Sequence, residues 1–318
     1  MAENPRLTVG IPTYNGRALL EVVLPSLARQ QPRDFRVVVV DDASSDDTAA
    51  WMRENWPEVE LIVHERNRGV TAALNTCLRA AQGEFVALLN NDVELDPGCM
   101  ARLVAALDEH PEAGVSCAKL IDYHDRSRLD GAGDIWVWGG EAHRRGQGQP
   151  DDGRYDSPQR IFSACGAAAV YRREALDAVG LFDERFFANC EDTDWSFRAN
   201  LAGWTVRYVP DAVAFHMGSA TLGSGVSEFA LFHNWRNCVW VVAKNYPAVS
   251  LLRHLPALAL LQMRNLAVSV RDRNLRVWLR AWASALAGMP RTLALRREVQ
   301  RARVLGAHEL EALVGRDR

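Results

Sequence analysis

The chain has 318 residues, 48% of them hydrophobic, and a formal net charge of −3. This length and composition predict a globular protein with a sizeable core, built as one large domain with an appendage or as two modest domains. The charge is unevenly distributed along the sequence, because the segment from Pro247 onward contains thirteen arginines and five acidic residues. A basic tail can bind nucleic acid, but this one has no aromatic stacking platform and no recognised nucleic-acid-binding motif. We therefore do not expect a nucleic-acid-binding protein.

The six cysteines are scattered and form no CxxC pair. Their spacing argues against a zinc site or a disulfide framework and predicts a reducing compartment. The first residues lack the charged and apolar regions of a signal peptide, and no uninterrupted apolar run reaches the ~18 residues that a membrane span needs. We therefore expect a cytoplasmic protein.

Short apolar strands alternate with helices over about the first 110 residues. Strands are expected at 7–11, 35–40, 60–65 and 85–89, and helices at 18–29, 48–55, 70–81 and 99–109. This alternation predicts an α/β fold with a Rossmann-like, doubly wound, mostly parallel sheet and right-handed crossovers. The entirely apolar run 85–89 is typical of a strand buried at the centre of such a sheet.

Acidic or amide side chains follow several of these strands. Asp41 and Asp42 end the second strand, Asn91 and Asp92 the fourth, and a further acidic segment spans 189–194. We expect these groups to converge on one sheet edge, where open α/β sheets bind ligands. Crowded carboxylates repel one another unless a cation or hydrogen-bond donors compensate, which favours a divalent cation that carries a diphosphate. His216, which follows a later strand, could add a nitrogen ligand.

The pattern is less regular beyond residue 110. A strand is expected at 114–120, and residues 122–159, which lack periodicity, are predicted to be a long, partly mobile loop over the site. Small residues at 164–167 interrupt a strand at 161–171 and would allow a close approach of substrate or backbone. Helices are expected at 173–179 and 194–202, strands at 205–210 and 213–216, and a Gly/Ser-rich stretch up to residue 225.

The last third is predicted to be helical, with helices at 228–245, 251–270, 274–286 and a solvated one at about 292–313. In the third of these helices one apolar stripe is formed by Leu275, Trp278, Leu279, Trp282 and Leu286. Two interpretations stay open. The stripe packs on the protein's own sheet or on a second subunit of a homodimer, or it lies on an anionic bilayer.

Six motifs, in this order, resemble those of the inverting glycosyltransferases of family 2, which have the GT-A fold, and within them the bacterial rhamnosyltransferase-like branch. They are PTYN at 12–15, VDDASSDDT at 40–48, NRG at 67–69, LNND at 89–92, EDTDW at 191–195 and the segment around His216. The resemblance covers about residues 6–247. The usual Asp-x-Asp metal motif appears here as Asn90-Asn91-Asp92, or as Asp92-Val93-Glu94 if it is shifted by two residues. Asp92 is expected to ligate alone among Asn90, Asn91 and Asp92.

The resemblance implies a role for each motif. Asp41 would accept the N3–H of uracil or thymine, Asp92 with His216 would hold Mg²⁺ or Mn²⁺, and Asp192 would be the general base. Glu191 and Asp194 would shape the field around that base. The nucleotide-sugar-binding residues would be Pro12, Thr13, Tyr14, Asn15, Asp41, Asp42, Arg68 and Asn91. The alternative interpretation is helix capping for Asp41 and Asp42 and for Asp194 or Thr193. For Asn90-Asn91-Asp92 it is a turn that closes the strand.

The resemblance further implies transfer of a sugar from a dTDP- or UDP-sugar to a glycan or polyprenyl-linked acceptor in cell-wall or polysaccharide assembly. L-rhamnose from dTDP-L-rhamnose is the first choice; galactofuranose, glucose and N-acetylglucosamine stay open, as does a catalytically inactive nucleotide-binding scaffold. We expect residues 1–110 to bind the donor, 111–246 to bind the acceptor and carry catalysis, and 247–318 to form a basic helical extension. Such an enzyme would work at the inner face of the plasma membrane.

Overall fold

The structure is a computed structural model that describes residues 5–218 and 227–314. Most of the Gly/Ser-rich stretch expected before residue 225 lies outside the described residues.

The first half has the four strand–helix repeats that the sequence predicts, with one additional short strand. The elements are β1 (Leu7–Thr13), α1 (Arg17–Ala28), β2 (Phe35–Asp41), α2 (Thr48–Asn55), β3 (Glu60–Val63), α3 (Val70–Ala80), β4 (Phe85–Leu89), β5 (Val93–Leu95) and α4 (Cys99–Glu109). Every residue of β4 is buried, as its apolar sequence predicts.

The second half adds seven strands, of which β6 and β12 are the longest in the described chain, and two α-helices. They are β6 (Ala113–Asp122), β7 (Leu129–Gly131), β8 (Asp134–Val137), β9 (Glu141–Arg144), β10 (Gln159–Ile161), β11 (Ala168–Arg172), α5 (Arg173–Val179), α6 (Glu191–Leu201) and β12 (Thr205–His216). The expected interruption at 164–167 separates β10 from β11. Helix α6 begins three residues earlier than predicted, which puts Glu191 and Asp192 in its first turn.

One large sheet runs through both halves in the order β10-β12-β6-β11-β4-β1-β2-β3. Strands β3, β2, β1 and β4 are parallel, and β6 is parallel to β12. Strand β11 lies antiparallel between β4 and β6 and joins the two parallel groups. The fold is thus mixed α/β around a mostly parallel central sheet.

Alternate residues of the central strands face opposite layers of helices. Val39 and Ala87 belong to the core that includes α1 and α4, whereas Val38 and Val86 belong to the core that includes α3 and α6. This follows from the two-residue period of a strand. Gly10 allows α3 to approach β1 closely, since a Cβ at this position would lie 2.5 Å from the Cβ of Cys77.

The prediction of a long, partly mobile loop at 122–159 is wrong. Strands β7, β8 and β9 occupy this region, and β8 pairs antiparallel with β9 as a hairpin. Trp136 on β8 is buried, its indole N–H donates to the hydroxyl of Tyr246 at 2.8 Å, and its ring packs against Phe162 and Phe197. This aromatic cluster orders a segment that has no periodicity of its own.

The carboxyl-terminal part is helical, as the sequence predicts. Its helices are α7 (Glu228–Asn245), α8 (Ala248–Arg271), α9 (Leu275–Ala287), α10 (Met289–Ala302) and α11 (Ala307–Val314). The prediction of a single solvated helix at 292–313 is wrong. Two helices occupy this range, and Leu310 and Leu313 of α11 are buried. In the described ranges, no helix combines the length and the apolarity that crossing a bilayer requires.

Helix α9 buries the side that contains its small apolar residues, and not the side that contains its leucines. The small residues Val277, Ala281 and Ala285 are buried, and the indole N–H of Trp240 on α7 donates to the carbonyl of Ala285 at 3.0 Å. Leu279 of the predicted stripe is exposed, as are Leu275 and Leu286. Packing within this chain therefore leaves three of the five stripe residues exposed.

Candidate active site

The carboxyl ends of β1, β2 and β4 meet at one edge of the sheet, as the sequence predicts. Thr13 is in register with Asp41, and the backbone N–H of Asp42 donates to the carbonyl of Thr13 at 2.8 Å. The Asn91 amide donates to the Thr13 hydroxyl at 2.9 Å. Strand pairing and these two bonds thus bring three separate motifs together.

A cavity of about 540 Å³ opens at this edge, and we call it the strand-end cavity. Among the predicted site residues, those that line it are Pro12, Thr13, Tyr14, Asp42, Asn91, Asp92, Glu191 and His216. Asn15, Asp41 and Arg68 do not line it. The Asn15 side chain instead accepts from the backbone N–H of Ser45 at 2.8 Å, and the Arg68 guanidinium pairs with Glu184 at 2.9 Å.

Asp41 and Asp42 have different surroundings although both are buried. Asp42 accepts from the backbone N–H groups of Arg68 and Gly69, at 2.9 Å and 2.7 Å, and so fixes the loop before α3. Asp41 accepts from the backbone N–H of Ser44 through Oδ1 at 2.8 Å, while its buried Oδ2 has no hydrogen-bond partner. Neither carboxylate caps a helix; Asp46 bonds to the first residue of α2 instead.

Asp92 faces the imidazole of His216 in the same cavity. Nε2 of His216 lies 3.3 Å from Oδ1 of Asp92, an ion-pair distance, but the angle does not make a hydrogen bond and Oδ1 has no other partner. Nδ1 of His216 lies 2.7 Å from Oδ2 of Asp130 on β7. The guanidinium of Arg144 on β9 donates to the same Asp130 oxygen at 2.6 Å.

These carboxylates control the protonation of His216 in the absence of a cation. Burial alone would lower the pKa of His216, but the hydrogen bond to Asp130 and the charge of Asp92 outweigh it and raise the pKa to about 9. For Asp130, burial opposes ionisation, yet His216 and Arg144 hold its pKa below the ordinary value. The two carboxylates thus favour a positive charge at this position.

The part of the chain that the structure describes has no group of three or more His, Cys, Asp or Glu side chains arranged to hold a metal ion. Asp92 and His216 are a pair. Two protein ligands suit Mg²⁺ or Mn²⁺, because such ions in nucleotide sites usually take their remaining ligands from phosphate and water. The partnerless Oδ1 of Asp92 and the Nε2 that faces it fit this chemistry.

A second cavity, of about 430 Å³, lies at the beginning of α6, and we call it the α6 cavity. Asp192 lines it, and its carboxylate accepts from the backbone N–H groups of Gly166 at 3.0 Å and Thr193 at 2.7 Å. These bonds hold the carboxylate in place without neutralising it. Gly166 is needed here, since a Cβ at this position would lie 3.0 Å from Oδ2 of Asp192.

Two further carboxyl groups, Glu191 and Asp134, line the α6 cavity beside Asp192. Burial raises the pKa of each to about 8, and the charge of Asp192 adds to the effect. Oε2 of Glu191 and Oδ1 of Asp134 are buried without a hydrogen-bond partner. At neutral pH both groups are therefore mostly protonated, and they differ in this from a carboxylate base.

Asp194 does not reach either cavity. It is fully buried, and its carboxylate pairs with the ammonium of Lys244 at 2.9 Å, the guanidinium of Arg198 at 3.0 Å and the amide of Asn245 at 2.9 Å. Its partners lie on α6 and α7, so Asp194 joins these two helices. It does not cap α6, because the first turn has no side-chain cap.

The two cavities share one wall. Four residues line both of them: Asn90, Arg144, Asn189 and Glu191. Arg144 joins the wall to the Asp130–His216 pair, and its Nε lies 3.9 Å from Asp134. The Asp92–His216 pair lies on one side of this wall, and Asp192 lies on the other.

The segment before α6 has strained backbone. Phe187, Asn189 and Cys190 have φ angles of 65°, 67° and 65°, a region that residues other than glycine adopt at a cost. The amide of the buried Asn237 on α7 donates to the carbonyls of Phe186, Ala188 and Asn189 and holds the segment in this form. Strain fixed in this way orients the first turn of α6, which carries Glu191 and Asp192.

The sequence prediction missed Asp130, Asp134 and Arg144, all of which lie in the region taken for a loop. The one local signal was the Gly139-Gly140 pair, which is typical of a hairpin turn, whereas the residues that follow it, 141–145, contain one apolar side chain and give no strand pattern. The contact of Asp130 with His216 has no local signal, since 86 residues separate them.

Comparison with known protein families gives one match. Residues 8–180, more than half of the chain, match the family model described as glycosyl transferase family 2. The match includes the ends of β1, β2 and β4 and ends before α6.

One relative from Mycobacterium tuberculosis is an N-acetylglucosaminyl-diphospho-decaprenol L-rhamnosyltransferase. It is 28% identical over 252 residues, which span 70% of this chain and 79% of the relative. TarS from S. aureus in complex with UDP-GlcNAc has a TM-score of 0.59 at 21% identity and covers 97% of this chain and 89% of its own. The mannosyltransferase PcManGT from Pyrobaculum calidifontis with GDP-Man and Mn²⁺ has a TM-score of 0.56 at 23% identity and covers 95% and 86%.

Proposed function

The chain belongs to glycosyl transferase family 2, and from this premise we propose that it transfers L-rhamnose from dTDP-L-rhamnose, with inversion, to a hydroxyl group of a lipid-linked or polysaccharide acceptor. The observation that carries the proposal is the shared wall of the two cavities. An inverting displacement needs the leaving diphosphate and the attacking hydroxyl on opposite sides of the anomeric carbon. A donor in the strand-end cavity and an acceptor in the α6 cavity would meet this requirement.

The nucleotide would bind in the strand-end cavity. Thr13 and Tyr14 line it. Asp41 at the end of β2 is buried behind this lining, so its partnerless Oδ2 would accept the N3–H of thymine or uracil only after the strand end moves to admit the base. A buried oxygen without a partner is costly, and a base N–H would remove that cost. Asp42 would act indirectly, because it holds the loop that contains Gly69, another residue of the cavity wall.

Asp92 and His216 would hold Mg²⁺ or Mn²⁺ on the diphosphate. When bound, the cation would neutralise the charge that develops on the leaving group. Asp130 would keep Nδ1 of His216 occupied and leave Nε2 for the cation, which is the common arrangement of a metal-bound histidine. The Mn²⁺ that accompanies GDP-Man in the Pyrobaculum calidifontis mannosyltransferase supports a divalent ion in this fold.

Arg144 would add a second positive charge at the diphosphate. The motif Asn90-Asn91-Asp92 supplies a single carboxylate, where an Asp-x-Asp motif would supply two. Fewer carboxylates would hold the cation, and a guanidinium beside the diphosphate would add to the positive charge there. The Arg144 guanidinium reaches the shared wall while Asp130 fixes one of its ends. Its remaining N–H groups suit phosphate oxygens, which guanidinium groups bind in a fixed geometry.

Asp192 would be the general base. The acceptor O–H would give its proton to the Asp192 carboxylate as the oxygen forms a bond to the anomeric carbon and the bond to the diphosphate breaks. Glu191 and Asp134, with pKa values of about 8, would be protonated at neutral pH and could donate hydrogen bonds to the acceptor instead. Asp194 would have no part in the reaction, because Lys244 and Arg198 pair with it in the core.

The choice of rhamnose and of a polyprenyl-linked acceptor is supported by the mycobacterial relative. The UDP-GlcNAc bound to TarS favours N-acetylglucosamine as the second candidate. We assign donor binding to residues 1–110, acceptor binding and catalysis to 111–246, and membrane or protein contact to the extension at 247–318. The enzyme would work at the inner face of the plasma membrane, where polyprenyl-linked acceptors are presented.

A donor screen tests the proposal. The protein should bind dTDP-L-rhamnose more tightly than UDP-galactofuranose, UDP-glucose or UDP-GlcNAc, and turnover should require Mg²⁺ or Mn²⁺ and stop in EDTA. Tighter binding of UDP-GlcNAc would assign the second candidate. Donor binding without hydrolysis or transfer under any of these conditions would point to an inactive scaffold, and full activity in EDTA would reject the metal.

A further inference from the structure

Helix α8 presents an apolar face to solvent along its whole length. Its opposite face is packed: Ser250 and Leu261 are buried, and the His254 ring stacks on Trp138 at 4.2 Å. The outward side chains, 38% to 69% exposed, are Val249, Leu252, Leu255, Leu260, Met263, Leu266 and Val270. Their spacing puts them on one side of a helix of about 36 Å. An exposed apolar surface of this extent marks a contact with a protein or a membrane.

Arginines border this face. Arg253, Arg264 and Arg271 are spaced so that they lie along one edge of α8, and their side chains are 58%, 64% and 74% exposed. Each has an acidic neighbour, but exposed pairs contribute little and do not remove the guanidinium from solvent. Residues 248–287 contain six arginines, no lysine and one acidic residue, Asp272.

The face is physically connected to the α6 cavity. The inner side of α8 packs on the turn of the β8–β9 hairpin, where a Cβ at Gly139 would lie 3.6 Å from Leu261. Arg264 of α8 lies 3.8 Å from Glu141, the first residue of β9, and β9 ends at Arg144, which lines both cavities. A four-residue strand spans roughly 13 Å. A surface that binds the outside of α8 would thus be separated from the α6 cavity by the helix itself and one short strand.

We propose that the outward faces of α8 and α9 bind an anionic lipid bilayer and hold the acceptor cavity at the headgroup level. On α9, which contacts α8, Leu279 and Leu286 are likewise exposed apolar residues and Arg276 and Arg280 are exposed arginines. An amphipathic helix with leucines on one side and arginines beside them lies in the membrane interface. A second copy of the chain fits less well, because a symmetric interface is self-complementary and this region offers Asp272 alone against six arginines.

Flotation of the full chain with vesicles tests the proposal. We expect binding to vesicles of phosphatidylcholine and phosphatidylglycerol in equal amounts, no binding to phosphatidylcholine alone, and a loss as salt rises, because screening shortens the reach of the arginines. Arg264→Gln with Arg276→Gln should weaken binding by roughly 25-fold, about fivefold for each charge. Leu252→Gln with Met263→Gln should weaken it by at least about tenfold.

Two variants on α10 serve as matched controls. Leu293 and Arg297 are exposed on a different helix, so Leu293→Gln and Arg297→Gln should leave flotation unchanged. Absence of binding to anionic vesicles at low salt would overturn the proposal, as would equal losses in the controls. Sedimentation could instead show a wild-type dimer that dissociates in the Leu252→Gln, Met263→Gln double variant. This result would assign the face to a second copy of the chain.

The lipid contact rests on the proposed function only in its purpose, which is to reach a lipid-linked acceptor. Donor titration in solution needs no vesicle and reports on the strand-end cavity alone. Protein that binds dTDP-L-rhamnose but does not float would reject the bilayer contact, whereas protein that floats but binds no nucleotide sugar would reject the proposed function.

Discussion

Asp192 and Asp194 are two residues apart on α6 and have opposite surroundings. Side chains that are two residues apart on an α-helix point in directions that differ by about 200°, so the two carboxylates cannot face the same side. Asp192 lines the α6 cavity and accepts from backbone N–H groups, while Asp194 is fully buried against Lys244 and Arg198. The motif EDTDW shows that both are acidic but does not say which one is paired, because Lys244 comes fifty residues later.

Asp194→Asn should therefore cost stability. The change removes a buried charge that pairs with Lys244 and Arg198 and leaves two cations less compensated, so we expect a loss of about 3 kcal/mol in the free energy of unfolding. Urea titration measures it, and Asp177→Asn at an exposed site of α5 is the control. A stable, donor-competent Asp194→Asn protein that does not turn over would instead make Asp194 the base.

Glu191 should make stability fall with pH. Its pKa rises from 4.5 to about 8 in the folded protein, so the folded state holds a proton that the unfolded state releases between these values. Stability contributed by the protonated form is present below about pH 4.5 and is lost as the pH rises to about 8.

Glu191→Gln removes this loss, because glutamine cannot ionise. Its melting temperature should exceed that of the wild-type protein at pH 8.5, and the gap should narrow towards pH 4.5. Thermal melts across this range measure the effect, with Glu174→Gln on the exposed side of α5 as the control. A gap that stays constant with pH would show that the Glu191 carboxyl titrates normally.

At the level of elements, what the sequence predicts well is local. Each strand–helix repeat of the first half has its own periodicity, and the polar residues at 41–42 and 90–92 mark the strand ends directly. The β8–β9 hairpin is held by Trp136, whose partners Phe162, Phe197 and Tyr246 come from distant parts of the chain. Its order, and with it the positions of Asp134 and Arg144, depends on contacts that no local pattern contains.

Strand β7 contributes Asp130, which we expect to control metal affinity. Asp130→Asn weakens the acceptor on Nδ1 of His216 and leaves the imidazole less well oriented, so Mn²⁺ affinity in the presence of dTDP should fall by roughly 10- to 100-fold. Calorimetry measures it. Asp125→Asn, in the exposed turn before β7, should leave the affinity unchanged. An unaltered Mn²⁺ affinity in Asp130→Asn would show that Asp130 supports the fold alone.

In the assembled molecule, the two cavities are built from different elements. The strand-end cavity depends on β1, β2 and β4, whereas the α6 cavity depends on α6, the β8–β9 hairpin and α7, and β11 joins the two parts of the sheet. Sequence motifs identify the chemistry of each cavity separately. Their shared wall, with Arg144 of β9 and Glu191 of α6 in both linings, follows from how the hairpin and α6 pack beside the sheet and could not be predicted from the motifs.

In the proposed mechanism, donor binding and proton removal are divided between these two cavities. Donor affinity and turnover of Asp92→Ala and Asp192→Asn, measured side by side with dTDP-L-rhamnose and Mn²⁺, test this division. Asp92→Ala should lose donor affinity. Asp192→Asn should keep donor affinity within about threefold and turn over roughly 10²- to 10⁴-fold more slowly. Wild-type turnover by Asp192→Asn, or an equal loss of donor affinity in both variants, would contradict the division.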